Sequence, residues 1–194
     1  MINYDSSKAQ SLSQYIKKIP FNIAYEAHST DYQNPNAYMA LVKDHFAILK
    51  VGPQLTFAMR EALFALSHIE QHYIDADKCA NLPQVLESEM LANSKYWQKF
   101  YQVEESEALL YRRFSYSDRI RYYWNTEQVE LAVAKLMSNL TTITMPLPLI
   151  SQYMPEQYQQ IRNGLLKNCP RELAIHKIMQ VTSTYAAACH QTNH

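Results

Sequence analysis

Two short apolar segments and the amphipathic segment between them give the clearest structural pattern in the chain. Residues 21–27 and 46–51 are mainly apolar runs that end in polar turns, which is typical of strands. Over residues 36–45 apolar positions recur at helical spacing, after a proline that suits the first turn of a helix. The pattern predicts a strand, a crossover helix and a second strand, so the two strands should run parallel.

The remaining hydrophobic pattern is helical. Apolar residues recur at three and four positions most clearly over residues 54–73. Further helices are predicted near the N-terminus and at residues 82–90, 95–101, 104–114, 152–162 and 170–188, with another that starts after Thr126 and an extended connector at residues 146–149. Parallel strands normally belong to buried sheets of many strands. We therefore expect the other strands upstream of Met1 in a longer protein, or in a partner.

Composition excludes several classes of function. The 194 residues are 47% hydrophobic, enough for a packed core, and carry a formal net charge of zero, which gives no global attraction to nucleic acid or to an anionic membrane. The two glycines rule out a glycine-rich nucleotide loop, and the three scattered cysteines predict neither a disulfide frame nor a zinc knuckle. With no predicted signal peptide or membrane span, we expect a cytoplasmic protein without a cofactor.

Candidate chemistry collects where the two predicted strands end. Glu26, His28 and Asp31 follow the first strand and Lys50 lies at the end of the second, and functional groups of parallel strands meet at this edge. Carboxylate and imidazole groups there are suited to a metal site or a general base. The alternative is that residues 29–31 only form a turn and cap the next helix. The sequence leaves both open.

Two further groups of residues could serve either a functional site or only the stability of the fold. His68 and His72 lie four residues apart on one predicted helix face, but the zincin motif requires a glutamate where Ile69 stands, so capping of the helix end is favoured over metal binding. Arg119 and Arg121 belong to a segment rich in arginine and large aromatic residues, residues 111–124. That composition predicts a subunit contact or a phosphate clamp, and the alternative is an ion network of Asp118 with either arginine.

Four segments carry a resemblance to a known family. They read YEAHSTDYQ at 25–33, KDHFAILKVGP at 43–53, SYSDRIRYYW at 115–124 and PLPLISQY at 146–153. The chain resembles, over essentially its whole length, the non-catalytic subunit of bacterial tagatose-1,6-bisphosphate aldolase, which serves galactitol and N-acetylgalactosamine breakdown. The resemblance implies an α/β fold, namely the last two strands of a (β/α)8 TIM-type barrel in residues 1–75, followed by a mostly helical extension in residues 76–194.

The resemblance also implies a partner, the catalytic class II aldolase subunit. In such catalytic subunits the seventh strand ends in a His-Gly-x-Ser-Gly turn whose histidine binds zinc, and the eighth carries Lys-x-Asn-x-x-Thr for the substrate phosphate. Here the first turn reads EAHST at 26–30, without glycine and with His28 displaced, and Gly52 replaces the asparagine. Both departures argue against independent aldolase chemistry, and no metal ligand is predicted.

Three hypotheses follow. The first is an accessory subunit that supports the activity and stability of the catalytic aldolase subunit without chemistry of its own. The second is a sugar-phosphate enzyme, either a cryptic aldolase that uses Glu26, His28, Asp31 and Lys50 or a tagatose-6-phosphate kinase. The absence of a glycine-rich loop from the sequence counts against the kinase. The third is a helical scaffold, which predicts no sugar-phosphate binding.

Overall fold

A computed structural model describes residues 3–190 of the chain. Its elements are, in chain order, α1 (Ser6–Ile16), β1 (Tyr25–Ala27), α2 (Pro35–Lys43), β2 (Phe46–Leu49), α3 (Gln54–Tyr73), α4 (Leu82–Ala92), α5 (Glu105–Phe114), α6 (Glu127–Thr141), α7 (Leu147–Tyr153), α8 (Pro155–Arg162) and α9 (Pro170–His190). Short 3-10 helices lie on either side of α5, at Ser94–Tyr96 and Arg119–Tyr122. The outermost residues of the predicted regions 1–75 and 76–194 lie outside the described residues.

The predicted strand, helix and strand are confirmed as a parallel pair. Ala27 lies opposite Leu49 in the register, and α2 forms the crossover between β1 and β2. Asn34 starts α2 because its side chain accepts a hydrogen bond from the Ala37 backbone N–H, with Pro35 in the first turn. The strands are shorter than predicted, three and four residues long.

The predicted barrel fold is wrong. Within residues 3–190, β1 and β2 form a sheet of two strands and nearly all other regular structure is helical. The apolar residues before β1 find no neighbouring strand in this range and stay irregular, so Phe21 and Ile23 are 75% and 49% exposed. The described chain is therefore a mostly helical protein with one small parallel sheet.

Most predicted helices are confirmed, and two predictions fail at short segments. The predicted helix at 54–73 is α3, whereas the predicted helix at 95–101 is reduced to a 3-10 turn. Residues 146–149 do not form an extended connector, because α7 begins at Leu147 and continues to Tyr153. Pro148 is compatible with this helix because it lies in the first turn, where the backbone N–H it lacks would have no helical partner.

The chain divides into two compact units, which are Met1–Leu55 with Met179–His194, and Thr56–Ile178. In the first unit a small core forms around Ala27, Tyr38, Leu41 and Ala188. In the second a larger core draws on several helices and includes Leu66, Ile69, Leu86, Leu136 and Ile150. The predicted boundary between residues 75 and 76 stays a prediction. No helix among the described residues is long and apolar enough to cross a membrane.

Candidate functional site

Three of the four predicted strand-end residues lie in contact, as the alignment of parallel strands suggested. Glu26 is on β1, His28 follows it and Lys50 follows β2. The Glu26 carboxylate oxygen Oε1 lies 2.8 Å from His28 Nε2 and 2.8 Å from Lys50 Nζ. We call Glu26, His28 and Lys50 the strand-end cluster. Its side chains are partly exposed, with Glu26 the most sheltered at 32%.

The pKa of Glu26 is lowered in this cluster. The hydrogen bond from Lys50 is the largest cause. Desolvation, the second-largest effect, opposes it, and the positive charge of Lys50 adds a smaller lowering. A carboxylate that is stabilised in its charged form is a weaker base near neutral pH. The geometry therefore favours an ion-paired Glu26 over a general base.

Asp31, the fourth predicted residue, is used by the backbone. Its carboxylate accepts hydrogen bonds from the Gly52 N–H at 2.8 Å and from the Gln54 N–H at 2.9 Å. Gln54 is the first residue of α3, whose leading N–H groups have no helical partner. Asp31 thus provides a hydrogen-bond acceptor for backbone N–H groups between β2 and α3, whereas α2 is capped by Asn34. The turn-and-cap alternative fits the geometry, although the capped helix is α3 and not α2.

Gly52 leaves room for this contact. A Cβ atom at position 52 would lie 2.7 Å from Asp31 Oδ2, closer than carbon and oxygen pack without displacement. The absence of a side chain lets the backbone N–H reach the carboxylate. The position where the resemblance indicated a lost phosphate-binding asparagine therefore has a structural role in this chain.

A cleft of about 440 Å³ opens beside the strand-end cluster, within the first unit. Its lining includes Glu26, His28, Thr30, Tyr4 and Lys8. Thr30 is buried and fixes the cleft wall, because its hydroxyl donates to the Lys50 carbonyl at 2.9 Å and also contacts the Tyr185 hydroxyl at 2.9 Å.

The described residues contain no cluster of side chains suited to bind a metal ion. No group of three or more His, Cys, Asp or Glu side chains between residues 3 and 190 is arranged to hold one. His68 and His72 both stack on Tyr153, with ring centroids 5.3 Å and 5.9 Å away, and His72 Nε2 is 2.9 Å from the Tyr153 hydroxyl. These two histidines pack against α7.

Arg119 and Arg121 lie on the 3-10 turn after α5 and contact aromatic rings. The Arg119 guanidinium carbon is 3.3 Å from the Phe100 ring centroid, and that ring is 48% exposed. Arg121 donates to the Ser117 carbonyl at 2.6 Å and to the Tyr122 hydroxyl at 2.9 Å. Their assignment to a phosphate site or an interface stays a prediction.

The ion network expected around Asp118 has a different direct partner. Asp118 Oδ1 lies 3.0 Å from Arg60 Nε, and Asp118 Oδ2 accepts a hydrogen bond from the Thr56 hydroxyl at 2.5 Å. Burial raises the pKa of Asp118, while the Thr56 hydrogen bond and the Arg60 charge oppose that increase. No local sequence pattern marks Arg60, which lies 58 positions away from Asp118 on α3.

Two other polar groups, Arg112 and Glu70, are buried in the second unit. Arg112, expected to belong to a clamp or interface, is 2% exposed and binds Glu87 and Glu105 at 2.6 Å each. Glu70 is fully buried and accepts hydrogen bonds from the Ala80 N–H and the Asn139 side chain. A charged residue on the apolar face of α3 was the available signal for Glu70.

Known proteins are similar to this chain in sequence and in structure, although the two matches are described with different functions. The family model for the D-tagatose-1,6-bisphosphate aldolase subunit, GatZ/KbaZ-like, matches residues 1–190. A crystal structure described as a probable tagatose 6 phosphate kinase from Sinorhizobium meliloti 1021 superposes with a TM-score of 0.91 at 43% sequence identity. The alignment covers 97% of this chain and 48% of that protein, so this chain spans about half the length of its solved relative. The chain belongs to the GatZ/KbaZ-like family of D-tagatose-1,6-bisphosphate aldolase subunits.

Proposed function

We propose that this chain acts as the non-catalytic subunit, or part of it, of a tagatose-1,6-bisphosphate aldolase. It would bind the catalytic class II subunit in the cytoplasm during breakdown of galactitol or N-acetylgalactosamine. The observation that carries the proposal is the family match over residues 1–190. A partner that binds only the folded catalytic subunit raises its stability by mass action.

The strand-end cluster and Asp31 support a role without chemistry of their own. Glu26 is paired with Lys50 and has a lowered pKa, and Asp31 accepts backbone hydrogen bonds that hold the β2–α3 loop. A general base needs a carboxylate that takes up a proton near neutral pH. Both candidate carboxylates are instead engaged in charge pairing or backbone capping.

The test combines this chain with the catalytic subunit from the same organism. Cleavage of tagatose-1,6-bisphosphate is measured for the catalytic subunit alone, for this chain alone and for both together after co-expression. We expect the pair to show higher activity or a longer active lifetime and this chain alone to be inactive. An identical rate and lifetime with and without the chain would contradict the proposal.

A sugar-phosphate enzyme is the second candidate, because the solved relative is described as a probable kinase. The sequence argues against a kinase, because its two glycines cannot form a glycine-rich phosphate loop. The same cleavage assay distinguishes a cryptic aldolase from an accessory subunit, because a cryptic aldolase would cleave tagatose-1,6-bisphosphate without the catalytic subunit. Consumption of ATP with tagatose 6-phosphate by this chain alone would favour the kinase.

We propose that Arg119 and Arg121 lie in the contact with the catalytic subunit. Arg119 lies on the half-exposed Phe100 ring, and Arg121 is hydrogen-bonded to Tyr122, which is 38% exposed. Arginine and large aromatic residues dominate the energetically important centres of protein interfaces. A phosphate clamp is less well supported, because Arg121 already donates to Ser117 and Tyr122.

A further inference from the structure

A second cavity lies within the helical unit Thr56–Ile178 and is not part of the strand-end cluster. Its volume is about 620 Å³, within the range of small-molecule sites. We call it the aromatic cavity and define it by the residues that form its walls: Phe57, Phe64, Phe114, Tyr116 and Tyr153. They come from α3, the end of α5 with the loop after it, and the end of α7.

The rings of the aromatic cavity form ordered platforms. Phe57 and Tyr116 stack with centroids 5.1 Å apart and planes 17° apart, and Phe64 meets Phe114 edge to face at 6.3 Å. Phe114 and Tyr116 are 55% and 53% exposed, so much of their surface is open to a ligand. The negative face of an aromatic ring attracts C–H groups that carry partial positive charge, as those of a sugar ring do.

Polar side chains that both donate and accept hydrogen bonds line the same cavity. Lys177 supplies donors and Glu61 and Glu156 supply acceptors, whereas Arg60 and Gln157 are buried and engage Asp118 and His176. Neighbouring hydroxyl groups of a sugar need this mixture, because each hydroxyl donates one hydrogen bond and accepts others. An aromatic or aliphatic hydrocarbon could form no hydrogen bonds with these side chains.

The charges decide between a neutral and a phosphorylated sugar. Arg60 is paired with buried Asp118 at 3.0 Å, and Lys177 Nζ lies 3.5 Å from Glu61 Oε2. Glu156 adds a further negative charge to the lining. Within the described residues the two cations of the cavity are therefore balanced by acids, which leaves no excess positive charge for a phosphate dianion.

We propose that the aromatic cavity binds a neutral monosaccharide in its ring form. The sugar ring lies against Tyr116, which stacks on Phe57, and its hydroxyl groups bond to Glu61, Glu156 and Lys177. This site would give the helical unit a binding activity for unphosphorylated sugar. The proposal does not depend on contact with an aldolase, so it can fail or hold independently of the accessory function.

The first experiment measures binding to the whole 194-residue chain. Saturation-transfer NMR titrations with D-glucose, D-galactose, D-mannose and D-fructose are compared with titrations of their 6-phosphates. We expect at least one neutral sugar to bind more tightly than its phosphate. Absence of binding for all four neutral sugars at millimolar concentration, or tighter binding of the phosphates, would overturn the proposal.

Two variants locate the site and test its charge. Tyr116→Ala removes one face of the platform and should weaken sugar binding about tenfold, whereas Tyr15→Ala, an exposed tyrosine outside the cavity, should leave binding unchanged. Glu61→Gln keeps the side-chain shape and frees the charge of Lys177, so it should shift the preference several-fold toward the 6-phosphate. Unchanged affinity and preference in folded Tyr116→Ala and Glu61→Gln proteins would place the sugar elsewhere.

Discussion

Gly52 shows how a contact between distant residues fixes the identity of a single position. Asp31, 21 residues earlier, accepts a hydrogen bond from the Gly52 N–H, and its oxygen occupies the space that a Cβ would need. The sequence marked both residues, Asp31 as a possible base and Gly52 as a departure from a phosphate motif. The structure gives them one shared role, which is to hold the loop that starts α3.

Substitution of Gly52 by alanine should destabilise the protein by about 1–3 kcal/mol, because the new Cβ forces the loop or Asp31 to move. The measurement is the free energy of unfolding in urea. In an Asp31→Ala background the same change should cost less, since the carboxylate is gone. Gly164→Ala is the control, because its Cβ would meet nothing within 4 Å and its cost should not depend on Asp31. An equal cost of Gly52→Ala in both backgrounds would contradict the contact.

Lys50→Met should raise the pKa of Glu26 toward its ordinary value of 4.5. In the native protein the folded-state pKa lies below the unfolded one, so the pairing stabilises the fold above pH 4.5 and this stabilisation is lost as the pH falls through the folded-state pKa. NMR titration of the Glu26 carboxyl carbon measures the folded-state pKa in the native protein and in Lys50→Met. Lys43→Met, at the end of α2, is the control. A Glu26 titration that is unchanged in Lys50→Met would mean that the ion pair does not form in solution.

At the scale of elements, sequence periodicity predicted the helices and strands whose positions are set by local patterns of apolar residues. The long amphipathic run became α3 with the predicted ends, and the crossover between β1 and β2 followed from two apolar runs around a helix. The sequence could not supply the pairing of Asp118 with Arg60, because the energy of this pair depends on burial that only the fold creates. The barrel prediction failed for a related reason, since it assigned the two strands to a larger sheet that residues 3–190 do not contain.

Glu70 is the residue that ties three elements of the helical unit together. From α3 its carboxylate accepts hydrogen bonds from the Ala80 N–H just before α4, at 3.0 Å, and from Asn139 on α6, at 2.6 Å. Glu70→Ala should lower the free energy of unfolding by about 1–3 kcal/mol, because buried donors lose their acceptor. Urea denaturation measures this loss. Glu70→Gln keeps one acceptor oxygen and should cost less, and an alanine variant as stable as wild type would refute the role.

At the scale of the whole molecule, the two compact units have cores of very different extent. The core around β1 and β2 has few buried residues, whereas the core of Thr56–Ile178 includes fully buried Leu66, Ile69, Leu86 and Leu136. Local opening is easiest where few apolar contacts hold an element in place. We therefore expect the amide hydrogens of β1 and β2 to exchange with solvent faster than those of α4 and α6. Equal protection by hydrogen-exchange mass spectrometry would contradict this difference.

The proposed partner contact gives a prediction for Arg119. Arg119→Ala removes the guanidinium from the Phe100 ring and should weaken binding to the catalytic subunit about tenfold or more, as interface arginines do. Arg162→Ala is the matched control, since Arg162 lies over the Tyr158 ring on α8 in the same unit. Affinity is measured by titration calorimetry. Equal losses for both variants would show that Arg119 has no special place in the contact.

The most direct test of the proposed function is the rate of tagatose-1,6-bisphosphate cleavage by the catalytic subunit, followed over time with and without this chain. The family match over residues 1–190 predicts that the chain raises the rate or prolongs the active lifetime while it remains inactive alone. Cleavage by this chain alone, or a catalytic subunit whose rate and lifetime do not respond to it, would contradict the non-catalytic subunit assignment.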